Sequence, residues 1–86
     1  MSKDVYNILK DLLPERVRET VEPLSSDELK SLTLGELGIT SMENVEFVVK
    51  IEELYRMEFG ESELLQIGFL RFEEIASLIS AYATQP

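Results

Sequence analysis

The spacing of apolar residues predicts helices along nearly the whole chain. No segment alternates apolar and polar residues between turn dipeptides, as a half-buried strand does. Near the N-terminus, with Ser2 as a candidate N-cap, a helical stripe consists of Val5, Ile8, Leu9, Leu12 and Leu13. Pro14 interrupts this stripe because proline lacks the N–H that a helix interior needs. Up to residue 24 the pattern leaves open one kinked helix or two short helices.

The rest of the chain holds further helical segments. Residues 25–28 form a capping run before a possible single turn of helix, and residues 34–38 read as a loop with two apolar anchors. The strongest helical pattern runs from residue 40 to about residue 57. A short helix over residues 61–67 and a final helix over residues 72–83 complete the predicted elements.

Length and composition favour one small domain spanning residues 1–86. A chain of 86 residues is too short for two cores, and an apolar content of 44% is sufficient for one. We therefore predict an all-α fold. It is a small bundle of three main helices plus one or two short ones, with a long loop before residue 41.

The charge balance restricts the classes of partner. A net charge of −9 repels nucleic acid and anionic membrane surfaces, whereas it favours a basic protein surface. The chain has no cysteine and no histidine, so thiolate catalysis, zinc–thiolate sites and the commonest general base are excluded. No run of apolar residues is long enough to span a membrane. We expect a monomeric cytoplasmic protein that is not itself an enzyme.

The start of the strongest helix carries a capping box. In Thr40-Ser41-Met42-Glu43, the threonine is predicted to be the N-cap and Glu43 to bond back to its N–H. Ser41 then occupies the first helical position with its hydroxyl free and pointing outward. Two interpretations stay open: this serine is ordinary helix-start chemistry, or its hydroxyl is a functional group.

The same helix carries two apolar arcs when residues are placed at about 100° each. A broad arc that is predicted to face the core consists of Phe47, Val48, Ile51, Leu54 and Tyr55. A narrower second arc consists of Met42, Val45 and Val49. The second arc is either buried under the loop or a neighbouring helix, or it is an exposed strip on which a partner docks.

Acidic residues concentrate around this helix. Residues 43–63 hold seven acids and only two bases. Such a run is usually a solvated face. The alternative is a docking surface for a basic partner, because Glu46, Glu52 and Glu53 lie within or beside the second apolar arc.

The segment LGITSMENVEFVVKIEELY, residues 37–55, contains an ordered set of residue types. The set consists of Leu37, Gly38, Ser41, Val45, Glu46, Glu52, Glu53 and Tyr55. In this order and spacing it resembles the signature of the acyl carrier protein family. The resemblance is sharp over residues 34–59, continues through residues 72–79 and is weak before residue 30.

This resemblance implies an acyl-carrier-like fold and a role for each matching residue. Ser41 would carry 4′-phosphopantetheine, attached by a phosphopantetheinyl transferase, with Thr40 as the N-cap beside it. The arm would supply the thiol that this chain lacks and carry an acyl or aminoacyl group. Residues matching partner contacts, for acyl-transfer or acyl-activating enzymes with basic patches, are Met42, Val45, Glu46, Val49, Glu52 and Glu53. Candidates for an acyl pocket are Phe47, Val48, Ile51, Tyr55, Ile75 and Leu78.

One departure from the family pattern keeps a second hypothesis open. Thr40 stands where the family has aspartate. Threonine still caps a helix, but the carboxylate beside the serine is lost. The alternative function is an unmodified helical adaptor that binds a basic protein through its acidic second main helix. A hydrolytic enzyme is disfavoured, because no base or nucleophile accompanies the carboxylate pairs.

Overall fold

The computed structural model describes residues 4–83, which form six α-helices and no strand. The helices are α1 (Val5–Leu12), α2 (Glu15–Val21), α3 (Ser26–Lys30), α4 (Ser41–Tyr55), α5 (Glu61–Gln66) and α6 (Phe72–Tyr82). Two short 3₁₀ turns lie at Gly35–Leu37 and Ile67–Phe69. The all-α prediction is confirmed. Three helices are long and three are short, one more than predicted, because the segment after Pro14 forms a helix of its own.

The N-terminal segment resolves into two helices rather than one kinked helix. Helix α1 ends at Leu12, and Pro14 is the N-cap of α2, where its missing N–H costs no hydrogen bond. Asp4 caps α1, because its carboxylate accepts from the N–H of Tyr6 at 2.9 Å. Asp4 is therefore the N-cap of α1. The prediction that Ser2 is the N-cap falls outside the described residues.

The core is built from buried side chains of α1, α2, α3, α4 and α6 and of the segments between them. Leu9, Phe47, Ile51, Phe72 and Ile75 are all buried within it. The rings of Phe47 and Phe72 meet edge to face, with centroids 6.3 Å apart. This packing fixes which face of α4 points inward and leaves the opposite face of that helix in solvent.

One predicted core residue of α4 lies outside the core. Leu54 was expected on the buried arc, but more than half of its side chain is exposed. The buried residues of α4 are Phe47, Val48 and Ile51, and Tyr55 is half-buried. The prediction for Leu54 was wrong because it lies at the edge of the arc, where no other element covers it.

The loop before α4 is held by short-range hydrogen bonds and by two buried side chains. Leu34 and Ile39 are buried, and the N–H of Ile39 donates to the carbonyl of Leu34. Gly38 adopts φ 74°, a left-handed conformation that costs glycine little but other residues more. The chain therefore turns sharply at Gly38 and enters α4 three residues later, at Ser41.

Within residues 4–83 no helix is both long enough and apolar enough to cross a membrane. The longest helix, α4, has 15 residues, and it carries several carboxylates. A span through the hydrocarbon layer needs about 20 apolar residues.

Candidate functional site

The start of α4 has the capping geometry that the sequence predicts. The Oγ1 atom of Thr40 accepts from the N–H of Glu43 at 3.2 Å, and the Glu43 carboxylate accepts from the Thr40 N–H at 3.0 Å. Ser41 is the first residue of α4 and is exposed. Its hydroxyl has no hydrogen-bond partner among residues 4–83. The cap therefore orders the backbone around Ser41 without using the Ser41 side chain.

Arg16 on α2 forms hydrogen bonds with the residues at the start of α4. The Nε atom of Arg16 donates to one Glu43 oxygen at 3.0 Å, and its Nη2 donates to the other at 2.5 Å. Arg16 Nη2 also donates to the carbonyl of Gly38 at 2.6 Å. This contact was not predicted from the sequence, because nothing local connects Arg16 to a carboxylate 27 positions later. Helix α2 thus contributes to fixing the position of Ser41.

We expect Glu43 to make stability depend on pH in the acid range. The ion pair with Arg16, helped by the backbone N–H of Thr40, lowers the pKa of Glu43 from 4.5 to about 2. A carboxyl whose pKa is lower in the folded state stabilises the fold above its unfolded pKa, and this contribution disappears as pH falls through the folded pKa. The melting temperature should therefore drop as pH is lowered from about 4.5 towards 2.

The measurement compares melting temperature against pH for the wild type and for Glu43→Gln. The variant should show a smaller drop across this window, because it has no carboxylate at position 43 to protonate. Glu19→Gln on the exposed face of α2 is the control, and it should follow the wild-type curve. Parallel curves for all three proteins would show that the Glu43 carboxylate does not contribute.

The second apolar arc of α4 is exposed, which excludes its burial under the loop or a neighbouring helix. Met42 is 72% exposed, Val45 62% and Val49 42%. Residues with such exposure are free for contact with another molecule. Whether they make the partner contacts that the resemblance implies stays a prediction.

A groove runs beside this arc, between α4 and the segment formed by α5 and the 3₁₀ turn after it. We call it the α4–α5 groove, and its volume is about 600 Å³. Ser41 lies on its border. Its walls are mainly apolar, and they consist of Val45, Val48 and Val49 from α4 and Leu64, Leu65 and Phe69 from the facing segment.

The facing wall of the groove was missed in the sequence. Leu65 is 80% exposed and Phe69 is 83% exposed. The sequence predicted a short helix here, but a helix of six residues has too few turns for its periodicity to show which side is buried. The available sequence signal for this wall was the composition of the segment, because Leu65 and Phe69 are large apolar residues close to several acids.

The predicted partner-binding acids differ in what they do within the fold. Glu46 and Glu53 are exposed and make no hydrogen bond or ion pair within the described part of the chain. Glu52 is half-buried, and its carboxylate accepts from the N–H of Phe59 at 3.0 Å. Glu52 therefore holds the loop after α4, whereas Glu46 and Glu53 are available to a partner.

The predicted acyl-pocket residues do not surround one cavity. Phe47, Ile51 and Ile75 are buried in the packed core, and Tyr55 is half-buried. Val48 lines the α4–α5 groove, while Leu78 lines a separate, more polar groove between α5 and α6. The open apolar space nearest Ser41 is the α4–α5 groove.

Comparisons with known proteins add no assignment. No family model, no curated protein and no solved structure matches this chain. The likeness of residues 34–59 to acyl carrier proteins therefore stays a resemblance in the sequence.

The floor of the groove includes Gly35, Asn44 and Gly68. A side chain at Gly68 would approach Asn44 Nδ2 to 3.2 Å, and one at Gly35 would approach the Gly68 carbonyl to 3.2 Å. These two glycines therefore let the floor pack closely. Asn44 Oδ1 is buried without a hydrogen-bond partner in the described chain, so it is an acceptor not yet used. A phosphopantetheine arm, which contains amide N–H donors, fits these features.

Three or more metal-ligating side chains do not converge anywhere in residues 4–83. Many of the carboxylates instead form hydrogen bonds within the fold. Five glutamates accept from the backbone N–H three residues before them, which ties them to turns and helix starts. They are Glu28, Glu36, Glu43, Glu63 and Glu74.

Proposed function

We propose that this protein is a specialised acyl carrier. Ser41 would bear 4′-phosphopantetheine through a phosphodiester at its hydroxyl, and the protein would deliver an acyl or aminoacyl group to partner enzymes. The carrier makes and breaks no bond itself, so it is a substrate of other enzymes rather than an enzyme. We place it in the cytoplasm as a monomer.

The observation that carries this proposal is the environment of the Ser41 hydroxyl. It lies exposed at the first position of α4, and the cap is completed by Thr40 and Glu43 without it. A modifying enzyme needs a hydroxyl that is reachable and held on an ordered backbone. The Arg16–Glu43 contact adds to that order from a second helix.

The residues around Ser41 have defined tasks in this proposal. The arm would supply the thiol, to which the cargo is joined as a thioester. Val45, Val48 and Val49 would shield the apolar parts of arm and cargo from water along the α4–α5 groove. Asn44 lines the groove, and its Oδ1 has no hydrogen-bond partner within residues 4–83, so it would accept from an amide N–H of the arm.

Partner enzymes would meet the exposed face of α4. Glu46 and Glu53 are free to attract a basic patch, while Met42, Val45 and Val49 provide apolar contact. Electrostatic attraction of this kind raises association rates while leaving the complex short-lived. Fast exchange between partners is what a carrier requires.

Co-expression with a broad-specificity phosphopantetheinyl transferase, followed by intact mass measurement, tests the proposal. The wild-type chain should gain the mass of one phosphopantetheine, and Ser41→Ala should gain none. Ser26→Ala is the matched control, because Ser26 is also the first residue of a helix whose cap carries a capping box. This control should be modified like the wild type.

Two outcomes would contradict the carrier proposal. If the wild type keeps the bare polypeptide mass with every transferase tried and when purified from its own cell, Ser41 is not modified. If Ser41→Ala is still modified, the arm is attached elsewhere. The first outcome favours the adaptor alternative, to which the replacement of aspartate by Thr40 already points.

A further inference from the structure

Arg16 contacts the chain on both sides of Ser41. Its Nη2 donates to the carbonyl of Gly38, three residues before Ser41, at 2.6 Å. Its Nε and Nη2 also donate to the two carboxylate oxygens of Glu43, two residues after Ser41, at 3.0 Å and 2.5 Å. One guanidinium therefore joins the end of the loop to the first turn of α4, and the segment that carries Ser41 is held between these two attachments.

The contact between Arg16 and Glu43 differs from an ordinary surface ion pair. Exposed pairs contribute little, because two long side chains must be held in one geometry. Here the Glu43 side chain is only 21% exposed, and its carboxylate is already placed by the N–H of Thr40. A planar guanidinium also meets both carboxylate oxygens at once, which fixes direction as well as distance. The Glu43 end of the pair is therefore fixed within α4.

The other end of the pair is fixed by the packing of α2. Val17, next to Arg16 in the chain, and Val21 one turn later are buried in the core. Pro14 at the N-cap of α2 restricts the backbone just before Arg16. Helix α2 therefore presents the guanidinium from a position that the residues at the start of α4 do not determine.

The order of this segment matters to an enzyme that must bind it. If residues 38–43 move in the free chain, part of the binding energy of a modifying enzyme goes into ordering them, and the complex is weaker. A hydroxyl that is to react must also be held in one orientation against the group that it attacks. The capping box of Thr40 and Glu43 orders the first turn of α4 internally, and Arg16 fixes that turn relative to the loop.

We propose that Arg16 is a positioning residue for the modification of Ser41. It keeps residues 38–43 in the arrangement that a phosphopantetheinyl transferase binds. It does so from α2, outside residues 34–59, where the resemblance to acyl carrier proteins is sharp. The inference rests on the proposed carrier function and adds to it a residue that the resemblance does not include.

Arg16 takes no part in the bonds that change. The oxygen of Ser41 attacks a phosphorus of the pyrophosphate in coenzyme A, and a new bond forms between the serine oxygen and that phosphorus. The bond from the phosphorus to the bridging oxygen breaks, the nucleotide half of coenzyme A leaves with that oxygen, and the serine proton passes to the transferase. Removing Arg16 is therefore expected to weaken the binding of this chain by the transferase and to leave the chemical step unchanged.

Steady-state kinetics of modification test this proposal on the full chain. The assay varies the concentration of this chain at saturating coenzyme A with a broad-specificity transferase, at a temperature where circular dichroism shows every variant to be folded. Arg16→Gln should raise KM for this chain about five-fold, since ordering a few groups on binding costs a factor of this size, and should leave kcat within about two-fold. A role in stability alone would lower the melting temperature and leave KM unchanged.

Arg18→Gln is the matched control, because it lies on the same helix and removes the same charge. Arg18 donates to the carbonyls of Leu13 and Asp11, which belong to the junction of α1 and α2 and not to the start of α4. This variant should keep KM within about two-fold of the wild type. Both substitutions change the net charge from −9 to −10, which by itself favours association with a basic transferase. A higher KM in Arg16→Gln alone therefore opposes the effect of overall charge.

A double-mutant cycle with Glu43→Gln separates positioning from a direct contact between Arg16 and the transferase. Glutamine at this place in a capping box still accepts from the N-cap N–H, so the cap of Thr40 is kept while the charge that pairs with Arg16 is lost. If Arg16 acts through Glu43, the double variant should have a KM close to that of Arg16→Gln. Effects that multiply would mean that the two residues act independently, and the positioning role would then be wrong.

Amide hydrogen exchange in the unmodified chain reports on the same contact without any transferase. Exchange at the N–H groups of Thr40 and Glu43 should be at least about three-fold faster in Arg16→Gln than in the wild type, because the helix start opens more often. Arg18→Gln should leave these two rates unchanged. Equal rates in all three proteins would show that Arg16 does not order the start of α4.

Failure of this inference is distinguishable from failure of the carrier proposal. A wild-type chain that never gains the mass of the arm would overturn both. A wild type that is modified while Arg16→Gln keeps the same KM would overturn the role of Arg16 alone. The same holds if Arg18→Gln loses as much as Arg16→Gln, because the effect would then come from charge or from α2 as a whole.

Discussion

Replacing Phe47 with alanine is expected to destabilise the protein by about 3–5 kcal/mol. Phe47 is only 1% exposed, and its ring contacts that of Phe72 edge to face. The substitution removes the buried ring and leaves a cavity that the helices α4 and α6 cannot fully close. A small domain has a total stability at the low end of about 5–15 kcal/mol, so much of the population should be unfolded at room temperature.

Urea unfolding followed by circular dichroism gives the free energy of unfolding for this test. Phe47→Leu should cost about 1 kcal/mol, because it keeps most of the apolar volume. Val45→Ala on the exposed face of the same helix is the control and should stay within about 0.5 kcal/mol of the wild type. If Phe47→Ala matched that control, the inward face of α4 would be assigned wrongly.

Local sequence signals predicted the start and the two faces of α4. The capping box of Thr40 and Glu43 depends on residues three positions apart, so the sequence contains all the information that it needs. The helical angle also separated Met42, Val45 and Val49 from the core, and their exposure agrees. The helical angle did not predict where the buried arc ends, and Leu54 at its edge is exposed.

Features that depend on distant parts of the chain could not be predicted from the sequence. The contact between Arg16 and Glu43 joins α2 to α4 across a turn, a loop and a short helix. Leu65 and Phe69 face the groove only because the 3₁₀ turn at Ile67–Phe69 brings their segment against α4. In both cases the contact depends on the direction that the chain takes after Pro14 or after α5. Neither segment has an apolar periodicity long enough to predict that direction.

The same distinction applies to the acids. The sequence grouped seven carboxylates of residues 43–63 into one surface, but Glu43, Glu52 and Glu63 accept backbone N–H groups within the fold. Glu46 and Glu53, by contrast, are exposed and make no hydrogen bond or ion pair within residues 4–83. A capping glutamate and a solvent-facing glutamate are the same letter in the sequence, and the backbone conformation decides between them.

Reversing two of the available charges should slow attachment of the arm. We expect Glu46→Lys with Glu53→Lys to lower the initial rate of modification by a phosphopantetheinyl transferase about ten-fold at low ionic strength, since steering between opposite charges raises association rates by factors of about 10 to 1,000. The difference should shrink at high salt, where exposed charges are screened within about 3 Å. Intact mass at successive times gives the rate.

The control is Glu15→Lys with Glu19→Lys, which has the same net charge as the α4 variant. These two residues are exposed on α2, and their reversal also changes the net charge from −9 to −5. If attraction acts through the face of α4, the control should lose much less rate than the α4 variant. Equal losses would mean that the transferase responds to overall charge, and Glu46 and Glu53 would then have no special part in docking. Because neither carboxylate makes a hydrogen bond or ion pair within residues 4–83, a rate loss confined to the α4 variant reports docking rather than unfolding.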